Sequence, residues 1–149
     1  MRVLVTGGAG FIGSTYVRAL LEGRLEEGRD ARVTVVDSLT YAGNRGNLPR
    51  EHPRLTFVQG DVCDLSLLLD LVPGHDGVVH FAADSHVARS LEGASEFVRT
   101  NVNGTQTVLE AAMRRSVPRT VVVSTDEVYG TVEEGRWTED SPLLPNSPY

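Results

Sequence analysis

The sequence contains no lysine, because all 14 basic residues among its 149 are arginines. This absence excludes a Schiff-base lysine and the phosphate-binding lysine of Walker-type loops within these residues. The single cysteine, Cys63, cannot form an internal disulfide framework and fits a reducing cytosol. One cysteine and four scattered histidines show no zinc-type spacing, so we expect no metal site. No apolar run approaches the ~20 residues that a membrane-spanning helix needs.

Composition and charge indicate a soluble protein with a single domain. The apolar content of 40% and the charged content of 23% are ordinary for a globular chain. A net charge of −6 without a basic run argues against nucleic acid or an anionic membrane as the main partner. The N-terminal residues predict a first strand and not a signal peptide. We therefore expect a cytoplasmic protein.

A glycine-rich turn follows the first predicted strand. Arg2–Thr6 runs directly into Gly7, Gly10 and Gly13, which have a G-x-x-G-x-x-G spacing. The residues that follow, to about Leu21, show the periodicity of a helix. Such a turn lets the backbone approach a pyrophosphate, and the helix N-terminus supplies free N–H groups. The alternative is an ordinary strand-to-helix turn that binds nothing.

An acidic residue, Asp37, ends the second predicted strand, Val33–Val36. A carboxylate at this place can accept hydrogen bonds from the ribose hydroxyls of adenosine and would repel a 2′-phosphate. The residue therefore favours NAD over NADP. Its alternative role is that of a loop cap.

The remaining chain alternates strands and helices. We predict strands at Leu55–Gln59, Gly77–Phe81 and Thr120–Val123, with helices over about Val62–Val72 and Phe97–Arg115. This order predicts an α/β fold, a doubly wound parallel sheet with strand order 3-2-1-4-5. The last strand is continuously apolar, which is typical of a strand buried on both faces.

Two polar residues in these elements have competing interpretations. Asp61, after the third strand, is either the N-terminal cap of the next helix or a contact near the adenine, and these roles are compatible. His80, at the end of the fourth strand, is interpreted as a packed core histidine and not as a ligand.

Hydroxyls and carboxylates follow the last predicted strand, in the sequence Ser124-Thr125-Asp126-Glu127. Ligands of open α/β sheets bind outside the carboxyl ends of the strands, so these groups are aimed at a ligand. Adjacent carboxylates in a closed site can differ in protonation and act as acid and base. The alternative is an ordinary acidic loop. The residues from 130 to 149 are predicted to form an exposed loop.

Seven segments resemble the dTDP-glucose 4,6-dehydratase family of the extended short-chain dehydrogenases/reductases, and together they cover essentially the whole chain. The discriminating one is STDEVYG, because related epimerases and dehydratases usually carry other residues in place of one or both carboxylates. The segments are GGAGFIGS (7–14), DSLTYAGN (37–44), GDVCD (60–64), HFAADSHVARS (80–90), TNVNGT (100–105), STDEVYG (124–130) and PNSPY (145–149).

The resemblance implies a set of roles. The catalytic residues are Thr125, Asp126, Glu127 and Tyr149. The substrate-binding residues are Ser85 and the same Thr125, Asp126 and Glu127. The residues implied in NAD binding, including the glycines of the turn, are Gly7, Gly10, Phe11, Ile12, Gly13, Asp37, Ser38, Leu39, Thr40, Asp61, Val62, Phe81, Ala82, Ala83, Asp84, Ser85, Thr100, Ser124 and Tyr149.

The implied reaction converts dTDP-glucose to dTDP-4-keto-6-deoxyglucose, with NAD as an internal hydride carrier. Tyr149 takes the proton of the sugar 4-hydroxyl while hydride leaves C4. Glu127 removes the C5 proton, and Asp126 protonates the departing 6-hydroxyl. Hydride then returns to C6. Elimination needs one acid and one base at neighbouring carbons, which suits two adjacent carboxylates.

The sequence departs from the family in several places. Asp84 and Ala88 stand where the family usually has Glu and Asp, so we expect a polar contact around Arg89 to be missing. The chain stops at Tyr149, before the Lys expected four residues later, the last strand of the nucleotide domain and the substrate-binding C-terminal domain. Residues 1–149 are therefore expected to be an incomplete NAD-binding domain without activity on its own.

The resemblance also implies a homodimer of the full-length form, in which the helix Phe97–Arg115 packs against a helix that begins around Tyr149. Two other functions stay open. One is a catalytically silent NAD-binding module, such as a sensor or scaffold, which would not need Thr125, Asp126 and Glu127. The other is a different NAD-dependent sugar-nucleotide enzyme, such as a 4-epimerase, which would not need the carboxylate pair.

Overall fold

Five parallel strands form one sheet in the computed structural model, which describes residues 1–149. The strand order is β3-β2-β1-β4-β5, which confirms the predicted order 3-2-1-4-5. All four strand pairings are parallel, so every strand ends at the same edge of the sheet. The strands are β1 Arg2–Thr6, β2 Arg32–Asp37, β3 Leu55–Gln59, β4 Gly77–His80 and β5 Thr120–Val122.

Helices connect the strands. The predicted long helix is present as one helical stretch from Ala94 to Arg114, with π-helical geometry in its middle. No helix of the chain combines the length and the apolar character that crossing a membrane requires. The helices are α1 Phe11–Leu21, α2 Leu65–Leu71, α3 Val87–Glu92, α4 Ala94–Phe97, the π segment Val98–Gly104 and α5 Thr105–Arg114; short 3₁₀ turns cover Glu26–Gly28, Arg45–Asn47 and Asp126–Tyr129.

The core has two layers, one on each face of the sheet. Successive strand residues point to opposite faces, so neighbouring residues of β1 enter different layers. Val3 and Val5 pack with Val17 and Leu20 of α1, whereas Leu4 packs in the layer of α2 and α5. Helices thus cover both faces, and this arrangement confirms the doubly wound fold.

The prediction that the fifth strand is buried on both faces is wrong. Val121, Val122 and Val123 are 54%, 41% and 42% exposed. The physical reason is that little packs on the faces of β5 within residues 1–149, where α5 is the main helix in contact with it. An apolar run shows that a strand suits a buried environment but not which neighbours cover it.

Candidate cofactor and catalytic site

A cleft of about 160 Å³ lies at the carboxyl edge of the sheet. Many of the residues predicted to bind NAD line it: Gly7, Gly10, Asp37, Ser38, Thr40, Asp61, Val62, Phe81, Ala82, Ala83, Asp84 and Thr100. The other predicted residues do not line this cleft: Phe11, Ile12, Gly13, Leu39, Ser85, Ser124 and Tyr149. The cleft therefore runs from the end of β3, past the ends of β2 and β1, to the end of β4.

The glycine turn between β1 and α1 allows only glycine at two positions. Gly7 has φ +68°, and a Cβ there would lie 2.5 Å from the backbone nitrogen of Ala82 at the end of β4. A Cβ on Gly13 would lie 2.3 Å from the carbonyl oxygen of Gly7. The glycine turn therefore packs closely against the end of β4 and against the first turn of α1. In the structure, the backbone N–H groups of Phe11, Ile12 and Gly13 have no hydrogen-bond partner, as is usual at a helix N-terminus.

The Asp37 carboxylate connects the glycine turn to the loop after β2. One oxygen accepts a hydrogen bond from the backbone N–H of Ala9 at 2.8 Å, and the other accepts from that of Leu39 at 2.9 Å. The residue is only 7% exposed, yet it lines the cleft. Each carboxylate oxygen has a second lone pair, so the same group can cap the loop and accept further bonds from a ligand.

Asp61 is not the N-terminal cap of α2. That cap is Asp64, whose carboxylate accepts from the backbone N–H of Leu67 at 3.0 Å. The Asp61 carboxylate instead accepts from the backbone N–H of Cys63 at 2.8 Å and forms an ion pair with Arg99. Partial burial would raise the pKa of Asp61, but the Cys63 and Arg99 hydrogen bonds together hold it below its ordinary value. Asp61 is therefore a charged acceptor at the β3 end of the cleft.

His80 is a core residue, as the sequence interpretation proposed. Its ring nitrogens lie 2.6 Å from the Thr6 hydroxyl and 2.9 Å from the Thr105 hydroxyl. The residue is 2% exposed, and burial lowers its pKa to about 4. A neutral imidazole thus joins β1, β4 and α5 directly beneath the cleft.

The Arg89 guanidinium forms no hydrogen bond or ion pair, in agreement with the expected loss of a polar contact at this place. The Arg89 guanidinium lies 4.1 Å from the ring centroid of Tyr41, within the range of a cation–π contact. Asp84 is held through its backbone, which exchanges two hydrogen bonds of 2.8 Å with the side-chain amide of Asn101. The loop after β4 is therefore anchored despite the two substitutions.

The residues after β5 form a short 3₁₀ turn that the sequence pattern did not predict. Thr125 caps this turn, because its hydroxyl oxygen accepts from the backbone N–H of Glu127 at 3.2 Å. The same hydroxyl lies 3.4 Å from a carboxylate oxygen of Asp126. Asp126 is exposed and Glu127 is half-buried. The two carboxylates thus differ in environment, although they are neighbours in sequence.

The loop that follows brings Tyr149 against the helical stretch that begins at Ala94. A Cβ on Gly130, which has φ +80°, would lie 2.1 Å from the carbonyl oxygen of Leu144, so the two ends of the loop are in close contact. The side-chain amide of Asn146 donates to the Thr131 hydroxyl at 2.7 Å. Tyr149 packs edge-on against Phe97, with ring centroids 6.3 Å apart. Phe97 itself is buried at the beginning of the π segment.

Sequence reasoning missed several residues that line the cleft: Val36, Ala42, Gly43, Gly60, Glu96 and Arg99. The first four adjoin predicted residues, so widening each motif by a few positions would have included them. Arg99 also adjoins a predicted residue, Thr100, whereas no local signal marks Glu96, which lies one turn earlier on the helical stretch after β4. Only the packing of that helix beside β3 brings them to the site.

Comparisons with known proteins agree with this architecture. The sequence model of the family described as GDP-mannose 4,6 dehydratase matches residues 4–149. A dTDP-glucose 4,6-dehydratase of Streptomyces griseus is 59% identical over 149 residues, covering 99% of this chain and 44% of that protein. The chain spans about half the length of the curated relatives it matches.

Solved structures show the same likeness. A dTDP-glucose 4,6-dehydratase of Streptomyces venezuelae, crystallised with NAD bound, matches at a TM-score of 0.98 and 59% identity. The match covers 100% of this chain and 47% of that one. A UDP-N-acetylglucosamine 4-epimerase of Methanobrevibacter ruminantium matches at a TM-score of 0.88 and 31% identity, over 99% of this chain and 45% of that one. The chain therefore has the Rossmann fold of these enzymes, matches the N-terminal part of dTDP-glucose 4,6-dehydratases and belongs to the GDP-mannose 4,6-dehydratase family.

Proposed function

We propose that residues 1–149 form the NAD-binding part of an enzyme that dehydrates dTDP-glucose to dTDP-4-keto-6-deoxyglucose. The observation that carries the proposal is the Thr125–Glu127 turn, which places a hydroxyl and two carboxylates at the sheet edge that also forms the cleft. The identity of 59% to a dTDP-glucose 4,6-dehydratase supports the same substrate. Because the chain spans about half of such relatives, substrate binding requires residues beyond those described.

The residues of the cleft fit NAD. The close backbone contacts at Gly7 and Gly13 hold the turn against β4 and α1. The N–H groups of Phe11 and Ile12 at the start of α1 are unpaired, so a pyrophosphate can accept hydrogen bonds from them. Asp37 is placed to accept from the adenosine ribose, and Asp61 from the adenine. Small residues, Ala82 and Ala83, line the cleft beyond the turn, towards the nicotinamide end. Bound NAD would supply the acceptor and donor of hydride for the sugar.

The acidic turn supplies the proton transfers of the proposed reaction. Glu127, half-buried and without a hydrogen bond to its carboxylate, acts as the base that removes the C5 proton. Asp126 acts as the acid that protonates the departing 6-hydroxyl. Thr125 binds the substrate through its hydroxyl and fixes the turn through its bond to the Glu127 backbone. An acid and a base that act at neighbouring carbons need separate protonation states.

We assign to Tyr149 the removal of the proton from the sugar 4-hydroxyl. Its contact with Phe97 and the closed base of the loop, at Gly130 and Leu144, support a fixed position beside the helical stretch. The resemblance places a Lys four residues later as the partner of this phenol. Residues 1–149 alone are therefore expected to bind NAD without forming the keto product.

An apolar stripe on the helical stretch supports a homodimer of the longer protein. Four apolar side chains recur at helical spacing and so share one face of the helical stretch. They are exposed: Val98 by 49%, Val102 by 59%, Leu109 by 44% and Met113 by 75%. Exposed apolar side chains on one helix face are typical of an interaction surface. We assign this surface to the second protomer.

The test uses the chain extended to the length of its relatives, with Glu127→Gln, Asp126→Asn and, as a matched control, Glu133→Gln in the exposed loop. Loss of a general acid or base reduces turnover by about 10²–10⁴-fold. Formation of the 4-keto-6-deoxy product should fall by this factor in the first two variants only. In deuterated water, exchange of the C5 proton should disappear with Glu127→Gln and persist with Asp126→Asn.

Three results would contradict the proposal. Release of a C4 epimer without keto product would indicate an epimerase. Binding of NAD without any conversion of the sugar nucleotide would indicate a silent module. An unchanged rate in Glu127→Gln would remove the proposed base.

A further inference from the structure

The β3 end of the cleft contains one positively charged side chain, that of Arg99, and it is directed at Asp61. We propose that Arg99 is a positioning residue that aims the Asp61 carboxylate at the 6-amino group of adenine, and so makes the site prefer adenine over a purine with an oxygen at that position. This inference rests on the proposed NAD binding and adds the residue that sets base specificity.

Two hydrogen bonds hold the Asp61 carboxylate, and a third contact joins its two partners. The first oxygen of Asp61 accepts from the backbone N–H of Cys63 at 2.8 Å, and the second accepts from the Arg99 guanidinium at 2.5 Å. The Cys63 thiol in turn donates to the backbone carbonyl of Arg99 at 3.2 Å. These contacts link the loop after β3 to the π segment, so a movement of either segment alone would break them.

The close approach of the two elements depends on Gly104 at the end of the π segment. A Cβ there would lie 2.7 Å from a methyl group of Val62, which also lines the cleft. The helix backbone therefore lies directly against the loop that carries Asp61. Arg99, five residues earlier, reaches the carboxylate from the solvent side, and about half of its side chain is exposed.

The orientation of the Asp61 carboxylate depends more on its hydrogen bond from Arg99 than on burial. The Asp61 side chain is 38% exposed, so burial does little to fix its rotamer. Without the guanidinium, one carboxylate oxygen loses its only protein donor and becomes free to turn towards water. The neighbouring acid Glu96, which also lines the cleft, would then repel Asp61 without an intervening positive charge.

The chemistry of the base explains the selectivity. A carboxylate is an acceptor only, so it accepts from the 6-amino group of adenine. Hypoxanthine carries a carbonyl oxygen at the same position, which places two acceptors against each other. An unpaired polar group in a site is costly, and such sites reject the wrong analogue strongly. Preference for adenine therefore depends on the carboxylate being held at this place.

The experiment measures the dissociation constants of residues 1–149 for NAD and for nicotinamide hypoxanthine dinucleotide. The variants are Arg99→Gln, Arg99→Lys and the control Arg114→Gln, which removes an arginine of the same helical stretch that pairs with Glu110 outside the cleft. The native chain should prefer NAD, and Arg99→Gln should reduce that preference about tenfold. Arg99→Lys should retain part of it, and Arg114→Gln should leave it unchanged.

The ratio of the two dissociation constants distinguishes positioning from a general effect. Loss of structure or of positive charge would weaken both dinucleotides equally, and an unchanged ratio in Arg99→Gln would overturn the inference. Equal affinity of the native chain for both dinucleotides would also overturn it, while leaving NAD binding intact. No binding of either dinucleotide would refute the proposed function itself.

Discussion

Replacing Gly7 by alanine tests whether the glycine turn is built around the end of β4. The position has two separate constraints. Its φ of +68° is unfavourable for a residue with a Cβ, and that Cβ would lie 2.5–2.7 Å from backbone atoms of Phe81 and Ala82. Both β1 and β4 are paired on both sides within the sheet, so neither strand can move away freely.

The magnitude follows from these two constraints. A left-handed backbone conformation costs about 1–2 kcal/mol for a residue other than glycine. Forcing an additional carbon into a packed site costs about 1–3 kcal/mol more. Gly7→Ala should therefore lower the free energy of unfolding by about 2–5 kcal/mol. This loss is a large part of the ~5–15 kcal/mol that stabilises a typical domain.

Two other glycines provide controls for the separate constraints. Gly135 has φ +86° with no atom within 4 Å of an added Cβ, so Gly135→Ala isolates the backbone cost of about 1–2 kcal/mol. Gly93 has neither a positive φ nor a close neighbour, so Gly93→Ala should be neutral or stabilising by about 0.4–1 kcal/mol. Urea unfolding of the four proteins, followed by circular dichroism, gives the values. A Gly7→Ala loss no larger than that of Gly135→Ala would refute the contact with β4.

Two further predictions concern the core and the surface. Folding lowers the pKa of His80 from 6.5 to about 4, so the unfolded chain binds the proton more tightly than the folded chain. The contribution of the neutral His80 to folding stability is therefore complete above pH 6.5 and is lost as the pH falls towards 4. Over this pH range, the free energy of unfolding in urea should fall by about 3 kcal/mol more in the native chain than in His80→Gln. His75, whose pKa is also lowered, is present in both proteins and cancels in the comparison. Equal losses in the two proteins would contradict the assignment. In the chain extended to the length of its relatives, Leu109→Glu should shift sedimentation from dimer to monomer, whereas Arg136→Glu in the exposed loop should not; a dimer that persists in Leu109→Glu would contradict the proposed surface.

The site shows where sequence reasoning is sufficient and where it is not. The glycine spacing and Asp37 were identifiable because their function depends on backbone geometry and on position directly after a strand, and both are local properties. Arg99 adjoins the predicted Thr100, but no local pattern pairs it with Asp61. It reaches Asp61 only because Gly104 lets the helical stretch lie against Val62, a contact between segments some 40 residues apart.

The strand order, and the edge of the sheet at which polar groups meet, follow from local patterns in the sequence. Alternation of apolar strands and helices leaves few topologies once crossovers are right-handed. Tertiary structure alone decided which apolar residues are covered, because burial depends on neighbours and not on hydropathy. Val121 at the edge strand and Leu109 on the helix stay exposed for this reason, while the polar Thr6, His80 and Thr105 form a hydrogen-bonded network beneath the cleft.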